Sequence, residues 1–154
     1  MGLDVLAVGD DEAGASLTSI FRERGIATDG LIEVPGYRTP TKTRVLAGGA
    51  HSIKQQVVRY DREDRLPETG DWRDRFSAKL ADAASSADAA MLSDYGYGAI
   101  SPAAVPALRA TLRAGAPVLV DSRHALGRYA GVDAATPNEE ELEESVGAPL
   151  GDSA

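Results

Sequence analysis

Residues 89–98 read Ala-Ala-Met-Leu-Ser-Asp-Tyr-Gly-Tyr-Gly, an apolar run that passes into a polar loop with two glycines. Just beyond this loop, Ser101 is a good N-cap and Pro102 suits the first turn of a helix. The stretch therefore predicts a strand, a glycine loop and a helix that begins at Ser101 and runs to about residue 114. The free N–H groups at the start of that helix would face the loop as an anion site, so a phosphorylated ligand is the first hypothesis.

Two later segments end in the same way. The apolar residues 118–120 lead into Asp121-Ser122-Arg123, and residues 132–135 lead into Thr136-Pro137-Asn138. Strands that alternate with helical segments predict an α/β fold with a mainly parallel sheet. Ligands of such sheets bind at the carboxyl ends of the strands, so these loops are the predicted location of a site.

The first 61 residues predict a βα unit followed by a hairpin. A strand over residues 3–8 is followed by the turn and cap Gly9-Asp10-Asp11 and by a helix that ends near Gly25. Residues 41–46 and 55–60 then alternate with period two around a turn at residues 48–50, which predicts an antiparallel hairpin. A hairpin with polar faces between βα units is typical of a lid, and we assign this lid to about residues 31–61.

The composition favours one domain and excludes several classes of function. The 154 residues are enough for a single domain with a core, and Trp72, Phe76 and Leu80 predict a helix over residues 70–85 that packs on it. With 16 basic and 24 acidic residues the net charge is −8, which argues against a nucleic-acid partner. The absence of cysteine excludes disulfides, thiolate metal sites and thiol catalysis. No apolar run approaches the roughly 20 residues of a membrane helix, so we expect a cytoplasmic protein without a membrane partner.

Two of the predicted loops hold candidate binding residues that also have structural explanations. Asp94 is placed to accept a hydrogen bond from a sugar hydroxyl, or it caps its own loop. The loop glycines fit either a ligand loop or a tight turn with positive φ. The spacing of Asn138 and Glu141 is that of a capping box, and the same two side chains could project toward a hydrated Mg²⁺ ion and nucleotide phosphates.

The predicted hairpin carries a second set of candidates. Lys42 and Arg44 fall on one face of one strand, and Arg59 lies on the facing strand, so three cations could converge on a phosphate or on several hydroxyls. The alternative is that these charges keep an exposed strand from pairing with other chains. The sequence leaves both explanations open.

Taken together, these segments resemble the ribokinase-like (PfkB) carbohydrate kinases, most closely their heptose-7-phosphate kinase branch. The matching stretches occur in the family's order and cover nearly the whole chain: residues 8–14 (VGDDEAG), 39–45 (TPTKTRV), 55–61 (QQVVRYD), 92–98 (LSDYGYG) and 136–141 (TPNEEE). The resemblance implies a three-layer α/β fold, present in part, with a mainly parallel sheet and a β-hairpin lid over the sugar. It also implies transfer of the ATP γ-phosphoryl group to a sugar hydroxyl with the help of Mg²⁺.

The resemblance carries residue roles as well. Asn138 and Glu141 match the family's Asn-x-x-Glu element near magnesium and the nucleotide phosphates, with Glu141 on the metal side. Lys42, Arg44 and Arg59 match lid positions near the sugar, and Asp94 matches the aspartate of the branch's Ser-Asp-Tyr motif. D-glycero-D-manno-heptose 7-phosphate is the implied substrate. Lid strands of this family sometimes pair between subunits, so a homodimer is also implied.

This sequence departs from the family's pattern at several points. The branch usually has lysine at the position of Tyr97, which removes a cation near the phosphates. The family's catalytic aspartate lies in a Gly-Ala-Gly-Asp motif that these 154 residues do not contain, and the strand and glycine-rich segment that open the family's domain are not found either. We therefore expect residues 1–154 to be one partial carbohydrate-kinase domain with no catalytic residue of its own. The alternatives are a non-catalytic remnant that binds a sugar phosphate or a nucleotide, and a gene fragment without an independent role.

Overall fold

The computed structural model describes residues 4–48, 53–123 and 125–151. Its elements follow one another in this order: β1 (Leu6–Gly9), α1 (Glu12–Glu23), β2 (Leu31–Val34), β3 (Thr41–Ala47), β4 (Gln55–Arg62), α2 (Asp71–Ser85), β5 (Ala90–Asp94), α3 (Ala104–Thr111), β6 (Val118–Ser122), a short 3₁₀ turn (Leu126–Arg128), β7 (Ala134–Ala135) and α4 (Glu139–Val146). No helix of these ranges is long and apolar enough to cross a membrane.

The core strands pair in parallel, as the alternation of strands and helices predicts. Strand β1 pairs with β2, and a separate sheet has the order β5-β6-β7, with Asp94 level with Ser122 at the carboxyl ends of β5 and β6. Leu92, Val118 and Val120 of this second sheet are almost completely buried. Parallel strands whose faces are covered by helices need such apolar residues, which explains why these segments read as near-continuous apolar runs.

Two groups of buried side chains form the core, and helix α2 joins them. One group includes Leu92, Leu108 and Val120, and the other includes Ile32, Val34 and the α2 residues Trp72 and Phe76. Leu80 of α2 packs against both groups. The predicted apolar stripe of this helix is therefore confirmed as core packing.

A hydrogen-bonded cluster ties the end of β1 to the chain that follows β2. Asp11 is the N-cap of α1, where its Oδ1 accepts from the Gly14 N–H at 2.9 Å and from the Thr39 hydroxyl at 2.7 Å. The buried Thr39 Oγ1 in turn accepts from the Gly9 N–H at 2.9 Å. Although burial acts to raise the pKa of Asp11, the hydrogen bonds from Thr39 and Gly14 outweigh it and lower the pKa below its ordinary value. The predicted cap at Asp11 is thus confirmed, and it also positions the chain that leads into the hairpin.

The hairpin is shorter than the predicted interval of about residues 31–61. Strand β2, at residues 31–34, pairs in parallel with β1, and the antiparallel hairpin consists of β3 and β4 with a register shift at Val45/Leu46. Of the predicted turn at residues 48–50, only residue 48 lies within the described residues. The side chains of β2 explain the difference, because Ile32 and Val34 are buried in the core whereas β3 and β4 are largely exposed.

Helix α3 begins later than its sequence predicts. Its N-cap is Ala103, and Ser101 instead lies in a turn where its carbonyl accepts from the Ala104 N–H at 2.9 Å. The prediction of Ser101 as N-cap is therefore wrong, because this turn precedes the first helical residue. The helix also ends at Thr111, since Leu112 adopts an extended backbone and buries its side chain in the core.

Candidate functional site

Asp94, the last residue of β5, has a carboxylate that accepts hydrogen bonds from three donors among the described residues. Its Oδ1 accepts from the Gly96 N–H at 2.9 Å, and its Oδ2 accepts from the Tyr129 hydroxyl at 2.7 Å and the Ser122 hydroxyl at 3.3 Å. Gly96 and Gly98 have φ values of +79° and +93°, a conformation that only glycine adopts without strain. The structural explanations for Asp94 and the two glycines are therefore both confirmed, and they leave room for a ligand role.

The Asp94 loop forms one wall of an open cleft of 700 Å³. The cleft is lined by residues 63–65, 94–98, 100–102, Ala125 and Arg128. Its volume falls within the usual range of small-molecule sites, about 300–1,000 Å³. The cleft lies outside the carboxyl end of a parallel strand, which is where ligands of α/β sheets bind. We call this space the Asp94 cleft.

Tyr97 connects the Asp94 loop to the hairpin. Its hydroxyl donates to Glu63 Oε1 at 2.8 Å, and the same carboxylate oxygen lies 3.8 Å from Lys42 Nζ on β3. The hydrogen bond to Glu63 raises the pKa of Tyr97 above its ordinary value, so its phenol remains a donor at neutral pH. The tyrosine that replaces the usual lysine of the resembled branch thus links the cleft to the hairpin.

The three predicted cations of the hairpin lie on one face. In the register of the hairpin, Lys42 stands opposite Asp61 and Arg44 stands opposite Arg59, and these alternate positions share a side. The guanidinium of Arg59 donates from Nε to Asp61 Oδ1 at 2.8 Å, and Lys42 Nζ lies 3.4 Å from Asp61 Oδ2. The hydrogen bonds from Arg59 lower the pKa of Asp61 to about 2. We call this surface the charged face; none of its three cations is among the residues that line the Asp94 cleft.

Asn138 and Glu141 form the predicted capping box at the start of α4. Asn138 Oδ1 accepts from the Glu141 N–H at 2.9 Å, and Glu141 Oε2 accepts from the Asn138 N–H at 2.9 Å. These bonds use one oxygen of each side chain and leave the Asn138 amide NH₂ and the second Glu141 oxygen without a role in the box. Capping and ligand binding are therefore chemically compatible at both residues.

Glu141 also lines a second cleft, of 200 Å³, beside the first. The two clefts share Ala125 and Arg128, so they adjoin each other at the segment around the 3₁₀ turn. Within residues 4–48, 53–123 and 125–151, no group of three or more His, Asp or Glu residues could hold a metal ion by itself. A lone carboxylate fits Mg²⁺ that keeps most of its waters and is also held by nucleotide phosphates.

Two residues of the site were not singled out by the sequence reasoning. Tyr129 lies 35 positions from Asp94, and Glu63 lies 34 positions from Tyr97. Neither belongs to a local motif, because Tyr129 sits in a turn-rich connection and Glu63 follows the last strand of the hairpin. Only the folded chain brings these side chains together.

Comparison with known proteins identifies similar chains. The model of the pfkB family carbohydrate kinases matches residues 5–154. Two curated relatives, both named Bifunctional protein HldE, are 41% identical over 147 residues in Pelobacter propionicus and 35% identical over 149 residues in Trichlorobacter lovleyi. These alignments cover 94% and 96% of this chain, and the chain spans 29% of the length of each relative.

A solved structure supports the fold. The tetrameric inhibited form of phosphofructokinase-2 from Escherichia coli superposes with a TM-score of 0.63 and 18% sequence identity, over 97% of this chain and 48% of that one. At this identity the likeness concerns the fold alone. The predicted α/β fold of ribokinase-like type, with parallel strands and a β-hairpin, is confirmed.

Proposed function

Because the chain belongs to the pfkB family of carbohydrate kinases, we propose that it serves the transfer of the γ-phosphoryl group of ATP to a hydroxyl group of a sugar or sugar phosphate. In this reaction the hydroxyl oxygen bonds to the γ-phosphorus while the bond from that phosphorus to the β,γ-bridging oxygen breaks. ADP leaves, and a base accepts the hydroxyl proton. D-glycero-D-manno-heptose 7-phosphate is our candidate substrate, since the Ser93-Asp94-Tyr95 stretch resembles that branch.

The observation that carries the proposal is the link between the Asp94 cleft and the charged face. Tyr97 and Glu63 join the loop at the end of β5 to Lys42, so an acceptor for sugar hydroxyls and a group of cations belong to one connected surface. Lys42 and Arg59 of the charged face contact two carboxylates, those of Asp61 and Glu63, so its three cations leave a net positive charge in a protein whose net charge is −8. A local excess of positive charge in an acidic protein favours an anionic ligand such as a sugar phosphate.

Asn138 and Glu141 are our candidates for the nucleotide side. The Asn138 amide NH₂ would donate to phosphate oxygens, and the second Glu141 oxygen would accept from a water of the metal ion. Mg²⁺ would neutralise charge on the transferred phosphoryl group. We place the base that accepts the hydroxyl proton outside residues 1–154, because the Gly-Ala-Gly-Asp motif does not occur among them.

The proposed function is tested by calorimetry and by an ADP-release assay. We expect the 154-residue chain to bind heptose 7-phosphate and Mg-ADP saturably and to release no ADP. A version extended at both ends, through the family's next motif, should release ADP only when the sugar is added. If neither protein bound either ligand, the proposed function would be wrong. Sugar-dependent release by the chain alone would contradict the placement of the base.

The two roles of Asn138 can be separated by two substitutions. Asn138→Asp keeps the oxygen that caps α4 but removes both amide donors, so we expect an unchanged melting temperature and at least about 10-fold weaker Mg-ADP binding. Asn138→Ala removes the cap as well and should lower the free energy of unfolding by about 0.5–2 kcal/mol. Wild-type affinity for Mg-ADP in the Asn138→Asp variant would exclude a nucleotide role for this side chain.

The second candidate function is a binding protein without catalysis. A chain that only binds a sugar phosphate or a nucleotide would retain the same features: the hydrogen bonds of Asp94, the charged face and the capping box. The ADP-release assay distinguishes the two, because a binding remnant stays inactive when it is extended. Failure of the chain to stay soluble and to bind would favour the third alternative, a fragment without a role.

The hairpin also supports a proposal about assembly. On the side opposite the charged face, Val45 and Val58 stand opposite each other and are 49% and 52% exposed. Exposed apolar pairs on a sheet favour contact with another surface, and we propose that a second copy of this chain covers them in a homodimer.

Sedimentation velocity tests this assembly. We expect the wild-type chain to sediment as a dimer and Val58→Glu to sediment as a monomer, because the new carboxylate would lose its water in the interface. Ala78→Glu, which adds the same charge on the exposed side of α2, should leave the dimer intact. A monomeric wild-type chain, or a dimeric Val58→Glu variant, would contradict the proposal.

A further inference from the structure

Tyr129 is a buried tyrosine whose hydroxyl contacts the carboxylate of the Asp94 cleft. Its side chain is only 4% exposed and belongs to the same core group as Leu92 and Val120. Its hydroxyl donates to Asp94 Oδ2 at 2.7 Å, the shortest of the three hydrogen bonds that this carboxylate accepts. A hydroxyl carried by an otherwise apolar, packed ring has a fixed position, since the ring has no room to turn away.

The segment that precedes Tyr129 lies between its phenol and the Asp94 cleft. Ala125 and Arg128 line the Asp94 cleft, whereas Tyr129, the next residue, is not among its lining residues and packs in the core. Asp94 itself lines the cleft. The phenol therefore reaches the carboxylate from the interior of the protein, and a ligand would reach it from the opposite side.

The phenol of Tyr129 keeps its proton and is therefore the donor in its hydrogen bond to Asp94. Burial, together with the hydrogen bond to Asp94, raises the pKa of the phenol well above its ordinary value. The proton therefore stays on Tyr129 at any physiological pH, and the hydrogen bond runs to a charged acceptor. Such charge-assisted bonds are roughly twice as strong as bonds between neutral groups.

The hydrogen bonds also limit what Asp94 can still accept. A carboxylate offers about four acceptor positions, and three are used by the hydroxyls of Tyr129 and Ser122 and by the N–H of Gly96. The two hydroxyls occupy Oδ2, and the N–H occupies one position of Oδ1. Among the residues that the structure describes, none donates to the second position of Oδ1, and this position is enough for a single ligand hydroxyl.

We propose that Tyr129 is a positioning residue for the sugar: its hydroxyl holds Oδ2 of Asp94 so that the last acceptor position of Oδ1 faces the cleft and receives one sugar hydroxyl. This inference rests on the proposed function, since it assigns Asp94 to the sugar. It extends that function by naming the group that orients the carboxylate and by limiting Asp94 to one hydroxyl. Tyr129 does not touch the ligand and acts only through Asp94.

Tyr129→Phe is the variant that tests the inference, because it removes the hydroxyl and keeps the ring that packs in the core. With only the 3.3 Å contact from Ser122 left on Oδ2, the carboxylate becomes free to turn, and its bond to Gly96 weakens. We expect the Gly96 amide to exchange with D₂O at least about 10-fold faster by NMR. In calorimetry, the dissociation constant for heptose 7-phosphate should rise by about 10-fold, with Mg-ADP binding unchanged.

Two further variants serve as controls. Ser122→Ala removes the longer contact and should cause a smaller change in the same two measurements. Thr111→Val removes a hydroxyl that donates to the Ala107 carbonyl within α3 at 3.1 Å, and it should change neither measurement. If Tyr129→Phe lowered the melting temperature but changed neither the exchange of the Gly96 amide nor the affinity for heptose 7-phosphate, the role of Tyr129 would be merely structural.

The outcomes separate the inference from the function on which it rests. The inference would be overturned if the Gly96 amide exchanged with D₂O at the wild-type rate in Tyr129→Phe. It would also be overturned if the amide exchanged faster but the variant bound heptose 7-phosphate with wild-type affinity. If neither the chain nor its extended version bound heptose 7-phosphate or Mg-ADP, the proposed function would fail, and the exchange rate of the Gly96 amide in Tyr129→Phe would still decide whether Tyr129 holds the carboxylate. If Tyr129→Phe weakened the binding of heptose 7-phosphate and of Mg-ADP equally, the inference would also be overturned, because positioning Asp94 affects the sugar alone.

Discussion

Gly9→Ala is expected to lower the free energy of unfolding by about 3–5 kcal/mol, or to prevent folding altogether. A β-carbon at Gly9 would lie 1.9 Å from the Tyr37 carbonyl oxygen and 2.8 Å from its carbonyl carbon. Both are backbone atoms, so the contact cannot be relieved by the rotation of a side chain. The chain around residues 37–39 would have to move away from the end of β1.

This movement would also break a hydrogen-bonded cluster. The Gly9 N–H donates to the buried Thr39 Oγ1, and Thr39 contacts Asp11 through both its hydroxyl and its backbone N–H. Displacement of Thr39 would leave buried polar groups without partners, which costs about 1–3 kcal/mol for each group. Because the same segment leads into β3, the position of the hairpin would change as well.

Urea unfolding followed by circular dichroism measures the effect of Gly9→Ala. Gly127→Ala is the matched control, since among the described residues its β-carbon would meet the Ser145 hydroxyl oxygen alone, at the ordinary distance of 3.6 Å. Gly127 also has no positive φ that would disfavour alanine. We expect this control to unfold within about 0.5 kcal/mol of the wild type. Equal stability of the two alanine variants would show that the end of β1 does not approach residue 37 so closely.

Arg44→Gln is expected to weaken the binding of heptose 7-phosphate by about 10- to 100-fold. Arg59 is already hydrogen-bonded to Asp61, and Lys42 lies near both Asp61 and Glu63. Arg44 has no carboxylate within 4.0 Å among the residues that the structure describes, and it stands directly opposite Arg59. Two like charges in this arrangement repel each other, and an anion bound between them would remove that repulsion.

Calorimetry at two salt concentrations measures the effect of Arg44→Gln. The wild-type affinity should fall with added salt, and the variant should be less sensitive to salt because it has lost one cation of the site. Lys79→Gln removes the same charge from the exposed surface of α2 and should bind like the wild type. Wild-type affinity and salt dependence in Arg44→Gln would instead support the alternative that these charges protect an exposed strand.

Several elements could be predicted because their causes are local. The apolar runs of β5 and β6, the caps at Asp11 and Asn138 and the stripe Trp72 and Phe76 of α2 all depend on residues within a few positions of one another. The spacing of apolar residues and the hydrogen bonds of helix caps depend on neighbouring residues, and tertiary contacts did not alter them here. The parallel pairing followed from the order of these elements.

Other predictions failed where the local signal had two possible outcomes. Ser101 has the chemistry of an N-cap, but its carbonyl closes a turn with Ala104 before the helix begins. Residues 31–34 could be assigned to the hairpin by their position, but burial of Ile32 and Val34 pairs them with β1 instead. At residues 31–34 the burial of apolar side chains decided between two possible strand pairings, and at Ser101 a backbone hydrogen bond replaced the predicted cap.

The residues of the site show the same division between local and long-range causes. The order of the strands and helices was enough to predict the parallel α/β fold. Short motifs were enough to identify the family and the candidate residues Asp94, Asn138, Glu141 and the cations of the charged face. The contacts of Tyr129 and Ser122 with Asp94, and of Glu63 with Tyr97, became visible in the folded chain alone. Such contacts join residues about 30 positions apart, and no local pattern specifies them. They arise when the packing of the core brings distant side chains within hydrogen-bonding distance.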